Sequence, residues 1–133
     1  NIYEMSALKV PILTVIIGEG GSGGALALAT SDEVWMLENA IYSILSPEGF
    51  ASILWKDSTK AKEAAKVMKL TSDCLKEQGI VDNVIFEPEG FTRENLYLVT
   101  GPMEEEIKRF LNQYGNMLEE ELTEHRYQRF RKM

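Results

Sequence analysis

From Ile12 to Ile17 the chain is an almost unbroken apolar, β-branched run, the pattern of a strand covered on both faces. Residues 1–9 ahead of it read as the end of a helix. That helix stops at Lys9-Val10-Pro11, because the residue before a proline avoids the α region. After the run comes Gly18-Glu19-Gly20-Gly21-Ser22-Gly23-Gly24, followed by small apolar residues from Ala25 to Ala29. This order predicts a strand, a tight glycine turn and a short helix over about 22–30. Ser31-Asp32-Glu33 reads as a polar break. Val34–Leu37 predicts a second buried strand and Ile41–Leu45 a third. One helix between two such strands predicts a parallel crossover.

Ser46-Pro47-Glu48-Gly49 has the features of a helix start: a serine N-cap, a proline at the first helical position and an acid in the first turn. The helix is predicted to run through Phe50, Ile53, Leu54 and Trp55, and Asp57-Ser58-Thr59 offers another cap. Lys60–Met68 is helical by propensity, and a short helix from Thr71-Ser72-Asp73 is predicted to close at Gly79. Ile80–Ile85 predicts a short edge strand and Pro88-Glu89-Gly90 a turn, while residues 86–101 carry little pattern. Gly101-Pro102 predicts the start of a long helix. Met103, Ile107, Phe110, Leu111, Tyr114, Leu118 and Leu122 would form one apolar stripe along it, with Glu104–Glu106 at its start. A stripe of that size predicts burial against the rest of the protein or a second subunit. Tyr42 and Trp55 read as core residues and His125 as a surface one.

The 133 residues suffice for one domain with a real core. The net charge of −7 argues against general nucleic-acid affinity. No apolar run is long enough to span a membrane, and the N-terminus has no signal-peptide pattern. The chain opens without an initiator Met, which reads as a fragment whose earlier strands are missing. Cys74 is the one cysteine, which points to a reducing compartment, and with the single His125 it cannot make a Cys/His metal site. The last eight positions hold Arg126, Arg129, Arg131 and Lys132, a cluster suited either to phosphates or to a solvated helix end.

The glycine turn is the candidate for chemistry. It holds five of the ten glycines, each costing backbone entropy. Free N–H groups at a helix start can hold an anion, or an oxygen that becomes one during a reaction; alternatively, the glycines only let the helix pack on the strand. Residues 18–23 also match the dinucleotide fingerprint G-x-G-x-x-G, with Glu38 twenty residues on. Against that reading stand the extra Gly23-Gly24 doublet and the shortness of the helix. Ser22 has no visible base to activate it and reads as a small helix-start residue. Glu48 reads as a general base or, more simply, as part of the cap.

The order of these features is similar to the C-terminal part of the crotonase superfamily, which binds acyl-CoA thioesters. More closely, IGEGGSGGALAL (17–28), MLENAIYSILSPEG (36–49), ILWKD (53–57) and RYQRF (126–130) resemble the carboxyltransferase α-subunit family of bacterial and plastid acetyl-CoA carboxylases. The similarity covers nearly the whole chain. It departs at 88–95, where that family often has Gly-Gly-Ala-His-Arg and this chain has Pro88-Glu89-Gly90-Phe91-Thr92-Arg93.

The resemblance implies an α/β, crotonase-like ββα superhelix. Residues 1–133 would be its C-terminal portion, one domain with a long C-terminal helix, the N-terminal half of the subunit being absent. It implies transfer of CO₂ from carboxybiotin to acetyl-CoA, giving malonyl-CoA for fatty acid synthesis, in the cytoplasm or plastid stroma. Gly23 and Gly24 match the family's oxyanion pair, and Gly20, Gly21 and Ser22 would shape the substrate's approach. Biotin would come on a biotin carboxyl carrier protein. A β subunit would complete the site and carry the zinc, in an α2β2 assembly. The alternative is a non-catalytic nucleotide- or CoA-binding α/β module built on GEGGSG.

Overall fold

The structure is a computed structural model and describes residues 2–133. Its centre is β3 (Glu33–Leu37), whose five residues are all buried. Trp35 and Met36 point to opposite faces and are both 0% exposed, which is why the run is apolar without alternation. β3 lies between β1 (Leu13–Ile16) and β5 (Asn83–Ile85), parallel to both. The predicted crossover and edge strand are thus present. A second sheet pairs β2 (Glu19–Gly21) with β4 (Ile41–Ser43), again parallel. The third predicted strand therefore belongs to a different sheet from the first two. Part of the glycine turn is itself a strand, which no β propensity announced.

Several helices follow their local signals. α1 (Ile2–Ser6) ends before Pro11, and α2 (Ser22–Leu28) links β2 to β3. In α3 (Pro47–Trp55), Ser46 Oγ accepts the Gly49 N–H at 3.1 Å. Asp57 caps a 3₁₀ turn by accepting the Thr59 N–H at 3.0 Å, ahead of α4 (Ala61–Met68). After α5 (Ser72–Glu77), Gly79 turns the chain with φ +72°, a value glycine adopts without strain.

The predicted long helix is two. α6 (Tyr97–Tyr114) starts earlier than expected and runs through Pro102; α7 (Glu119–Arg131) follows a break. Glu104–Glu106 therefore lie inside α6, paired with Lys108 and Arg109, and do not cap its start. The break also divides the stripe. Phe110, Tyr114 and Leu122 are buried, whereas Leu111 and Leu118 are 54% and 65% exposed. Phe110 packs edge-on against Trp35, with ring centroids 6.3 Å apart, so α6 covers one face of the central strand.

Ser31-Asp32-Glu33 is not a solvent-facing break: all three are buried. They can be buried because each is satisfied. Ser31 Oγ donates to the Glu33 carbonyl (2.8 Å). Asp32 accepts the Ile12 N–H (2.7 Å) and pairs with Arg126 (2.9 Å). Glu33 pairs with Arg109 (2.7 Å) and accepts the Trp35 indole N–H (2.6 Å). Arg126, also fully buried, donates further to the carbonyls of Met5, Ser6, Leu8 and Val10. It fastens α7 to the segment joining α1 and β1.

Candidate active site

The glycine turn is built on β2 and the first turn of α2. Gly20 is there for the protein's own sake. A Cβ on it would lie 3.1 Å from Ile16 Cγ2 and 3.2 Å from Tyr42 Cδ2, closer than ordinary packing. Gly18, Gly21 and Gly23 are different: a Cβ on any of them meets nothing within 4 Å, and none has positive φ. Gly24 is likewise uncrowded, 3.6 Å from Ser22 Oγ. Internal packing and backbone conformation explain one glycine of the five. The other four present bare backbone to the outside.

Ser22 has φ +71°, a rare value for a residue with a Cβ. Its hydroxyl accepts the Gly24 N–H at 3.3 Å, a long bond. The N-cap, Gly21, supplies no side-chain partner. Apart from that one long bond to Gly24, no side chain caps the first-turn donors of α2.

Ser22 also lines a cleft of about 650 Å³. Its walls come from α2 (Leu26), β4 (Tyr42) and the residue after it (Ile44), the segment before α5 (Leu70) and the end of α7 (Phe130). Burial pushes the Tyr42 hydroxyl above the ordinary tyrosine range, with Arg129 opposing the shift. On the far side of the sheet, burial alone would raise the Glu33 carboxyl. The hydrogen bonds from Arg109 and Trp35 outweigh it and hold that group below the usual carboxylate range.

A sequence model described as acetyl co-enzyme A carboxylase carboxyltransferase-like matches residues 1–133. The chain belongs to the acetyl-CoA carboxylase carboxyltransferase-like family. It is 53% identical over 133 residues to the acetyl-coenzyme A carboxylase carboxyl transferase subunit alpha of Clostridium acetobutylicum, covering 100% of this chain and 48% of that relative. The chain thus spans about half the length of the relative it matches. Among solved structures it resembles transcarboxylase 12S with methylmalonyl-coenzyme A and methylmalonic acid bound, at TM-score 0.66 and 20% identity, over 86% of this chain and 22% of that one. It also resembles an enoyl-CoA hydratase from Mycobacterium avium subsp. paratuberculosis K-10, at TM-score 0.57 and 18% identity, over 94% and 50%. The fold is crotonase-like α/β, as the sequence resemblance implied.

Within this carboxyltransferase-like fold the predicted residues separate. Gly20, Gly21, Ser22, Gly23 and Gly24 are contiguous, with Ser22 at the cleft wall. Glu38 does not act as a ribose ligand would: its carboxylate accepts the Glu87 N–H at 3.1 Å. With the family, this sets the dinucleotide reading aside. Glu48 lies in the exposed first turn of α3, in the cap it was read as.

Trp55 is no core residue; it is 38% exposed and stacks edge-on with Phe50. Tyr42 is half-buried, against the core and in the cleft. His125 is not a free surface group: its ring packs on Tyr114, and its buried Nδ1 lies 3.9 Å from Asp32. The basic cluster divides too. Arg126 is buried and Arg129 is 9% exposed, whereas Arg131 and Lys132 face solvent. Among the described residues, no group of three or more His, Cys, Asp or Glu could hold a metal, and no helix is long and apolar enough to cross a membrane.

The residues that sequence reasoning missed are Tyr42 and Arg129 in the cleft. The available signal was the i, i+3 spacing of Arg126 and Arg129, which puts both on one helical face.

Proposed function

We propose that this chain is part of the α subunit of an acetyl-CoA carboxylase carboxyltransferase, acting in fatty acid synthesis and forming malonyl-CoA from acetyl-CoA. Residues 1–133 are read as the C-terminal portion of one crotonase-like domain. The observation that carries the reading is the uncrowded glycine backbone of Gly21, Gly23 and Gly24 on either side of Ser22, which lines the cleft. In this reading carboxybiotin, delivered on a biotin carboxyl carrier protein, supplies the carboxyl group. The apolar-walled cleft beside the turn is of a size to take a small ring or an acyl group.

The chain's own work is electrostatic. Proton removal beside a thioester, and carboxyl release from a ureido group, both leave negative charge on an oxygen. The N–H groups of Gly23 and Gly24 are fixed donors that meet such charge without reorganising. The long Ser22 contact to Gly24 is easily given up to an oxyanion. Gly20 lets Tyr42 lie under the turn, and Gly21 and Ser22 shape the approach. No side-chain nucleophile is needed.

A β subunit completes the site in this reading, bringing the zinc, in an α2β2 assembly in the cytoplasm or plastid stroma. The name of the relative, an α subunit, supports a β partner. So does α3, an apolar helix whose Ile53, Leu54 and Trp55 are exposed, since a helix apolar all round is normally covered.

Carboxyl transfer by the complete α–β complex tests the assignment. Ser22→Ala keeps every backbone donor and changes the rate little. Gly24→Pro removes one N–H in a helical turn that tolerates proline and lowers kcat by roughly 10²–10³-fold. Gly24→Ala keeps the donor and separates crowding from donor loss. A folded Gly24→Pro complex at wild-type rate, with Ser22→Ala dead, sinks the oxyanion assignment.

A further inference from the structure

The cleft is walled chiefly by apolar side chains, so its few polar groups decide what it holds. Of these, Ser43 Oγ donates to the Leu45 carbonyl (2.8 Å), and Ser22 Oγ is engaged with Gly24. Gln78 is exposed. Tyr42 and Arg129 have spare capacity. The Tyr42 hydroxyl bonds to none of the described residues. Arg129 Nη2 donates to the Ile80 carbonyl (3.0 Å) and to Asp82 (2.7 Å), while its buried Nε has no partner.

Both groups are donors at neutral pH. A guanidinium keeps its protons, and burial keeps the Tyr42 hydroxyl protonated. Tyr42 is also fixed in place. Its N–H reaches the Leu70 carbonyl (3.2 Å), and its ring lies against Gly20.

We propose that Tyr42 and Arg129 form a donor wall in the cleft that recognises the carboxylate of a carboxylated acyl thioester. Arg129 Nε is a buried donor left without an acceptor, which is costly, and in apolar surroundings an anionic acceptor makes the strongest bond to a donor such as the Tyr42 hydroxyl. The inference rests on the acyl-CoA reading above. It adds a preference within that reading: this wall favours the acyl group bearing the new carboxylate over the one lacking it.

Calorimetric titration of the complete α–β complex with malonyl-CoA and with acetyl-CoA tests it. Tyr42→Phe keeps the ring against Gly20 and removes only the hydroxyl. It is expected to raise the malonyl-CoA Kd about tenfold or more and leave the acetyl-CoA Kd within about twofold. Arg129→Lys keeps a cation beside Asp82 but lacks Nε, and is expected to show the same selective loss; if it does not fold, Tyr42→Phe decides alone. Equal losses for both thioesters in Tyr42→Phe, or no loss for either, overturn the donor wall and leave the carboxyltransferase reading standing. A wild-type complex that binds neither thioester overturns that reading, and the inference with it.

Discussion

Replacing Arg126 with Met removes the buried clamp between the two ends of the described chain. The side chains of Arg126 and Asp32 are each 0% exposed. Arg126 gives Asp32 two hydrogen bonds, at 3.1 and 2.9 Å, and gives four more to the carbonyls of Met5, Ser6, Leu8 and Val10. Arg126→Met strands a buried carboxylate whose remaining donor is the Ile12 N–H. Breaking a buried pair from one side typically costs about 3–5 kcal/mol. For a chain of this length each kcal/mol lowers Tm by about 4 °C, so thermal unfolding followed by circular dichroism should show a drop of about 12–20 °C. Apolar replacement of both partners, Asp32→Leu with Arg126→Met, should recover part of it, because the desolvation cost of the charges goes with them. A single-variant drop below about 4 °C, or strict additivity in the double variant, would refute the reasoning, since groups in direct contact do not add.

Gly20→Ala should cost about 1–3 kcal/mol, through overpacking against Ile16 and Tyr42, whereas Gly21→Ala meets open space and should leave stability nearly unchanged; urea midpoints separate the two. Phe110→Ala, which empties the site against Trp35, should cost about 3–5 kcal/mol, while Leu111→Glu on the exposed side of α6 stays within about 0.5 kcal/mol. Equal melting temperatures for these two would place the stripe wrongly. Because the folded-state value of Glu33 is depressed, its stabilising contribution is complete above the ordinary carboxylate value of about 4.3 and is lost as pH falls through the lower folded value. Glu33→Gln should therefore flatten the stability-against-pH curve on that acid limb and nowhere else, as read from urea midpoints across the acid range.

Much of the fold was legible wherever the signal was local. The Val34–Leu37 run, the Ser46 cap and Gly79 each announce their structure within a few residues. The burial of Asp32 and Glu33 was not legible, because the arginines that neutralise them come 94 and 76 residues later. The split of the long helix was hidden because the three-and-four spacing continues across the break between Tyr114 and Glu119. In the site, the density of glycines was visible. That Gly20 alone answers to internal packing required the position of Tyr42, which reaches it through the pairing of β2 with β4. In the sequence Arg129 reads only as part of a basic cluster suited to phosphates or to a solvated helix end, because its partners, Ile80 and Asp82, adjoin it only in the fold.

The contacts of Arg126 with residues 5–10 span 116–121 positions of sequence. A ribosome making this chain from its N-terminus releases the receptors of that clamp long before the side chain that closes it. Until then Asp32 has no cation, and the cleft lacks the wall that Arg129 and Phe130 supply. A nascent or prematurely terminated chain ending before α7 thus keeps its acidic strand entrance open to water and offers an unfinished cleft. That wall of the cleft arrives only with α7.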